Sequence, residues 1–169
     1  MISRVEREIF VLAHDIRSAH NIGALFRLCD GLNVATLYLT GYTPHPIRPE
    51  DPRLPHIRQK LQKQIEKTAL GAQSTLAWEF HEDPAPLIKR LRSEGTVLAG
   101  LEQADDSVEL AGFSPPKRLC LVLGREVEGI DPDLLARCDV TLEIPMLGKK
   151  ESHNVVNAAA MALFHCRFH

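Results

Sequence analysis

Short apolar runs alternate with amphipathic stretches along this chain. IFVLAHDI (9–16) stays apolar until its polar end, the pattern of a buried strand. Beyond it, Ile22, Leu25, Phe26 and Cys29 recur at i, i+3, i+4 and i+7, one face of a helix, with Gly31 at the C-cap position. VATLYLT (34–40) is β-branched and aromatic, a second buried strand. TLAWEF (75–80), TVLAGLE (96–102), RLCLVLG (118–124) and VTLEIP (140–145) read as further strands. QKLQKQIEKTALGA (59–72) predicts a helix stopping near Gly71, PAPLIKRLRSE (84–94) a second, and the chain ends in a third from about Asn154. The strands are continuously apolar, so both faces of the sheet must be covered. The expected fold class is α/β, a mostly parallel sheet with helices on both faces.

One segment breaks the alternation. GYTPHPIRPEDPRLPHIR holds Pro44, Pro46, Pro49, Pro52 and Pro55, too many for regular structure, and predicts a long functional or mobile loop. No repeat or linker divides the 169 residues, so residues 1–169 read as a single domain, long enough to bury about 70% of the unfolded surface. The net charge of −2 argues against a broad basic surface, so any nucleic-acid contact must use a local patch, a dimer groove or a partner protein. Cys29, Cys120, Cys138 and Cys166 form no C-x-x-C pair, which points to reduced thiols in a cytoplasmic protein and to no metal. The N-terminal MISRVEREIFVLAHDI is charged early, and its apolar run is too short for a leader or a membrane helix.

Three segments carry the candidate chemistry. In HNIGALFRLCD, Gly23 and Arg27 lie four apart on a second helix face. A mid-helix glycine costs about 1 kcal/mol against alanine, so something must approach the backbone there, and Arg27 beside it has the fork for a phosphate. A helix start with a surface arginine explains the same residues. In LVLGREVEGIDP a buried strand runs into Gly124 and then Gly129, with Glu126 at the rim to bind a ligand or orient Arg27. Glycines at the carboxyl edge of an α/β sheet admit ligands. The spacing is neither a dinucleotide fingerprint nor a P-loop. A tight turn before a helix capped by Asp131-Pro132 is the plainer explanation. In IPMLGKKESHNVVNAAAMALF a polar loop with two lysines precedes a helix capped by Ser152 or Asn154. Its alanines suit a core helix or a helix facing a second chain.

Taken together and in this order, the segments resemble the three motifs of the SpoU (TrmH-like) branch of the SPOUT RNA 2′-O-ribose methyltransferases. The matching positions are Asn21, Gly23 and Arg27; Gly124, Glu126 and Gly129; and Ile144, Pro145, Met146, Gly148, Ser152, Asn154 and Val155. KTALGA (67–72) also looks like a stretch found in small family members. Arg125 stands where asparagine is common, His153 where leucine is usual, and Val156-Asn157 where Ser-Val is usual; these departures bear on substrate choice.

The resemblance implies a C-terminal trefoil knot, one of the rare exceptions to unknotted chains. It implies S-adenosylmethionine held by Gly100, Leu101, Glu102, Gly124, Glu126, Gly129, Ile144, Met146, Leu147, Ser152 and Asn154. It implies a homodimer whose active site draws on both chains, and RNA as partner, with tRNA favoured over rRNA because no extra N-terminal domain is seen. The catalytic group would be Arg27, placing RNA and activating the 2′-hydroxyl, with Asn21, Glu126, Ser152 and Asn154 as its support. His14, His20 and His153 are alternative bases. Competing expectations are a methyltransferase acting on a small hydroxyl compound, and a non-catalytic RNA-binding module on the same fold.

Overall fold

Seven strands form one sheet, and every neighbouring pair is parallel. The structure, a computed structural model, describes residues 6–169. Residues 1–5, part of the charged N-terminus considered above, lie outside the described residues. The strands are β1 (Glu8–His14), β2 (Thr36–Thr40), β3 (Trp78–His81), β4 (Val97–Leu101), β5 (Val108–Glu109), β6 (Arg118–Leu123) and β7 (Val140–Glu143), and they lie in the order β3-β2-β1-β6-β4-β7-β5. The helices are α1 (Ala19–Gly31), α2 (Pro55–Ala69), α3 (Pro84–Ser93), α4 (Pro132–Leu135) and α5 (Val155–Phe168).

The pleat of β1 divides the core. Ile9, Val11 and Ala13 join Ile22, Leu25, Phe26 and Cys29 of α1, Ile65 of α2, and Ala159, Ala162 and Leu163 of α5 on one face. Phe10 and Leu12 join Leu87, Ile88 and Leu91 of α3 and Leu134 of α4 on the other. Both faces are thus closed, which is why the strands carry no polar alternation. All four cysteines are free thiols.

Several boundaries differ from the sequence expectation, each for a local reason. Helix α1 starts earlier, at Ala19, because Ser18 caps it: its hydroxyl accepts from the Asn21 amide at 3.2 Å. It runs through Gly31, and Asn33, at φ 53°, makes the left-handed stop instead. Helix α2 begins inside the proline segment. Pro55 occupies its first turn, where a missing N–H costs nothing. Residues 75–77 precede β3, after a 3-10 turn at Ala72–Ser74. Strand β5 was not expected; at two residues it has no periodicity to read.

The proline loop is held from within. The Asp51 carboxylate, fully enclosed, takes the Arg53 guanidinium, whose Nη1 and Nη2 also donate to the carbonyls of His45 and Pro46 at 3.0 and 3.2 Å. The His45 ring packs on Phe80 with centroids 4.1 Å apart. Among the described residues no helix is long and apolar enough to cross a membrane.

Candidate active site

The loops that leave the carboxyl ends of β1, β4, β6 and β7 meet on one edge of the sheet, the edge where parallel α/β sheets bind ligands. The loop after β6 closes on itself: Arg125 and Gly129 exchange backbone hydrogen bonds at 3.0 and 3.1 Å. A Cβ on Gly124 would lie 2.4 Å from the Gly129 carbonyl carbon. Gly129 has φ +74°, and a Cβ there would lie 2.1 Å from the Glu102 carboxylate. That carboxylate accepts from the amides of Ile130 (2.8 Å) and Gln103 (2.9 Å). Both glycines therefore make room for the protein's own atoms, whatever else approaches them.

Glu126 stands on this closed turn. Its carboxylate accepts from the Arg17 amide at 3.1 Å, the Ser18 amide at 3.0 Å and the Asn21 side-chain amide at 3.1 Å. It is a fixed anion on the N-terminus of α1, where the helix dipole and free N–H groups favour negative charge. Partial burial pushes its pKa up. The amides of Arg17 and Ser18, its own amide and the Asn21 side chain outweigh burial and hold it below the ordinary carboxylate range. The Asn154 side-chain amide points to the Asn21 oxygen at 3.5 Å, at the outer limit of a hydrogen bond. Asn154 also caps α5 by accepting from the Val156 amide at 2.9 Å, which decides between it and Ser152 as the cap. Segments far apart in sequence are thus joined through Asn21.

Beside this junction lie a cleft of about 310 Å3 and a recess of about 150 Å3. Leu101, Glu102, Ser152 and His153 line both; Ile144 lines the cleft, and Gly124, Glu126 and Gly129 line the recess. Four expected cofactor residues line neither space: Gly100, Met146, Leu147 and Asn154, the last of which caps α5 at the junction. Gly100 is buried on β4, packed against Leu135 and Cys138. Met146 and Leu147 do not line either space, and Leu147 points to solvent. Arg125, the departure from the family pattern, lines the recess and reaches Asp131 at 3.5 Å.

Arg27 is not at this junction. Its side chain is exposed and bonds none of Asn21, Glu126, Ser152 or Asn154, so the expectation that they support it, and that Glu126 orients it, does not hold within one chain. It lines a groove of about 710 Å3 between α1, the end of α2 and α5, with Leu28, Lys67, Thr68, Leu70 and Phe164. Nor does Gly23 open a gap for a ligand beside it. Helix α2 fills that gap: a Cβ would lie 2.1 Å from Thr68 Oγ1 and 2.2 Å from the Ile65 carbonyl, and Thr68 donates to the His20 carbonyl at 2.8 Å.

Of the alternative bases, His14 is engaged at both ring nitrogens, by Thr40 (2.9 Å) and Asp15 (3.3 Å). His20 is exposed on α1, and His153 lines the cleft. The anchoring amides of Arg17 and Ser18, and the ion pair of Arg17 with Glu128 at 2.9 Å, were missed in the sequence. The signal was there: Ser18 three residues before Asn21 is a helix cap.

Residues 8–164 match the SpoU rRNA Methylase family. The chain belongs to this family. A tRNA (guanosine(18)-2'-O)-methyltransferase of Saccharomyces cerevisiae is 31% identical over 157 residues, which is 91% of this chain but 10% of that protein. A protein of the same name from Aquifex aeolicus is 24% identical over 167 residues, 99% of this chain and 72% of that one. Among solved structures, the AdoMet-bound rRNA methyltransferase of Sinorhizobium meliloti superposes with a TM-score of 0.80 at 21% identity, over 97% of this chain and 57% of that one. A structure described by "2-OH methylation of C/U34 on tRNA" gives 0.76 at 19% identity, over 96% and 95%. At these identities the structural likeness bears on the fold, and the SpoU-family fold is the one described above.

Proposed function

We propose that this chain is an S-adenosylmethionine-dependent methyltransferase that modifies a ribose 2′-hydroxyl of RNA, tRNA in preference to rRNA, in the cytoplasm. The observation that carries the reading is the anchored Glu126, which ties the family's first two motifs together at the lip of a recess lined by the third. The names of the relatives support it, and the rRNA enzyme among the structural neighbours keeps rRNA as the second substrate class.

The cleft fits a cofactor that has both a flat apolar part and hydroxyl-bearing parts. Leu101, Leu142, Ile144 and Ala158 give apolar wall, while Glu102 and Ser152 give polar contacts. Glu102 keeps free lone pairs beyond its two amide bonds. S-adenosylmethionine bound here supplies an electrophilic methyl. In this reading the C-terminal segment also threads the trefoil knot that the family resemblance implies.

Arg27 serves the RNA side. An arginine is a permanent cation, suited to gripping a phosphate beside the reacting ribose and unsuited to removing a proton. Its distance from the junction is accounted for by a homodimer, in which Arg27 of one copy serves the cleft of the other. The apolar surface around it, with Phe164, Phe168, Met161 and Leu70 exposed, supports such a contact. The ribose oxygen would bond to the methyl carbon as the carbon–sulfur bond breaks to leave a neutral thioether, the hydroxyl proton would be released to water, and in-line alignment would supply several kcal/mol. The test is transfer of radiolabelled methyl from S-adenosylmethionine to unmodified tRNA and rRNA, followed by nucleoside analysis. Label in 2′-O-methyl nucleosides is expected. Label in no RNA, or in a base, overturns the reading.

A further inference from the structure

Charge is segregated on α2. Its 15 residues contain Arg58, Lys60, Lys63 and Lys67 against Glu66, a net +3 in a chain of net −2, so the remainder carries −5. His56, Lys60, Lys63 and Lys67 follow the 4-3-4 spacing of a single helix face, the one opposite the buried Ile65. All four are exposed, and among the described residues none forms an ion pair within 4.0 Å. A merely solvated helix face usually interleaves both signs. Here the one acid, Glu66, is off the stripe and accepts from Gln62 at 2.7 Å. The stripe leads somewhere: Lys67, its last member, lines the groove that holds Arg27.

Resting on the RNA reading above, we infer that this face of α2 is a track for the RNA backbone, delivering a strand to Arg27. From His56 to Lys67 the stripe rises about 16 Å, room for several phosphates spaced about 3.4 Å along a duplex strand axis. The contacts are to phosphate, so the track adds affinity and register without sequence preference. It also answers how a chain of net negative charge holds a polyanion: the cations are concentrated where the strand runs.

The test is the salt dependence of tRNA binding by the full chain, with K60Q/K63Q against K89Q/K117Q, which removes two exposed lysines outside α2. The slope of log affinity against log salt should fall by about 2 in the α2 variant and stay unchanged in the control. Equivalently, between about 50 and 200 mM salt the wild type should lose about tenfold more affinity than K60Q/K63Q. Cofactor affinity should match wild type in both variants. If the wild type methylates RNA but the α2 variant keeps its slope, or the control loses as much, the track is overturned and the enzyme reading stands. A wild type that binds no RNA overturns both.

Discussion

The side-chain amide of Asn21 meets the carboxylate of Glu126 at 3.1 Å across 105 residues of sequence. With the Arg17 and Ser18 amides on the same carboxylate, this contact fixes the start of α1 against the turn after β6. Glu126→Gln replaces an anion at a helix N-terminus and puts an NH2 group where an amide donates. A loss of about 1–2 kcal/mol is expected in urea denaturation at pH 7. The pH dependence follows from the lowered pKa of Glu126. Its contribution is complete above the unfolded value near 4.3 and is lost as pH falls through the lower folded value. The gap between wild type and variant should therefore hold from about pH 7 to 5 and close in stronger acid. A gap that is constant down to pH 2 would show that the charge is not the cause.

The α/β class, six of the seven strands and the candidate segments were readable because apolar runs and helical spacing follow directly from burial. Strand β5 was not, since two residues have no period. The role of Gly23 was misread, and those of Gly124 and Gly129 were only half legible, for a physical reason. Sequence shows that a backbone must be approached but not by what, and at Gly23, Gly124 and Gly129 the visitor is the protein itself. The separation of Arg27 from Asn21 was equally hidden. Six residues apart on one helix looks close, yet it turns the two side chains about 120° from each other.

Gly23→Ala tests the first of those corrections. In an open helix the change would stabilise by about 1 kcal/mol. Here the new methyl meets the Ile65 carbonyl, which belongs to backbone and cannot swing away. Destabilisation of about 1–3 kcal/mol is expected from thermal unfolding. A neutral or stabilising result would mean that α2 does not press on α1 at this point.

The proline loop should behave as a latched element. In Arg53→Ala the enclosed Asp51 carboxylate loses its partner, and two loop carbonyls lose their donor. Loss of a buried pair member costs about 3–5 kcal/mol. The Arg53 hydrogen bonds hold Asp51 well below the usual carboxylate range. Their contribution is thus present above the unfolded value near 3.9 and disappears only as pH falls through the lower folded value. Denaturant midpoints for the variant and wild type at pH 7 and pH 2 check this. A variant within about 0.5 kcal/mol of wild type at pH 7 would show an unlatched loop.

Arg27 and His153 separate the two sides of the proposed site. Arg27 is exposed and makes no hydrogen bond to the Glu126 junction, so Arg27→Ala should leave stability within about 0.5 kcal/mol. Cofactor affinity should also be unchanged, because Arg27 lines neither the cleft nor the recess. Methyl transfer to RNA should fall by on the order of 100-fold or more, the usual scale for losing a charge that positions a reacting group. His153 lines the cleft but lies in the polar loop before α5, so His153→Leu, which restores the residue usual in the family, should retain activity. Isothermal titration with S-adenosylmethionine and initial rates on tRNA, run on both variants, give the four numbers required. Loss of transfer in His153→Leu with normal cofactor binding would move proton removal to that ring. Loss of cofactor binding in Arg27→Ala would instead place Arg27 at the cleft, against the geometry described for the single chain.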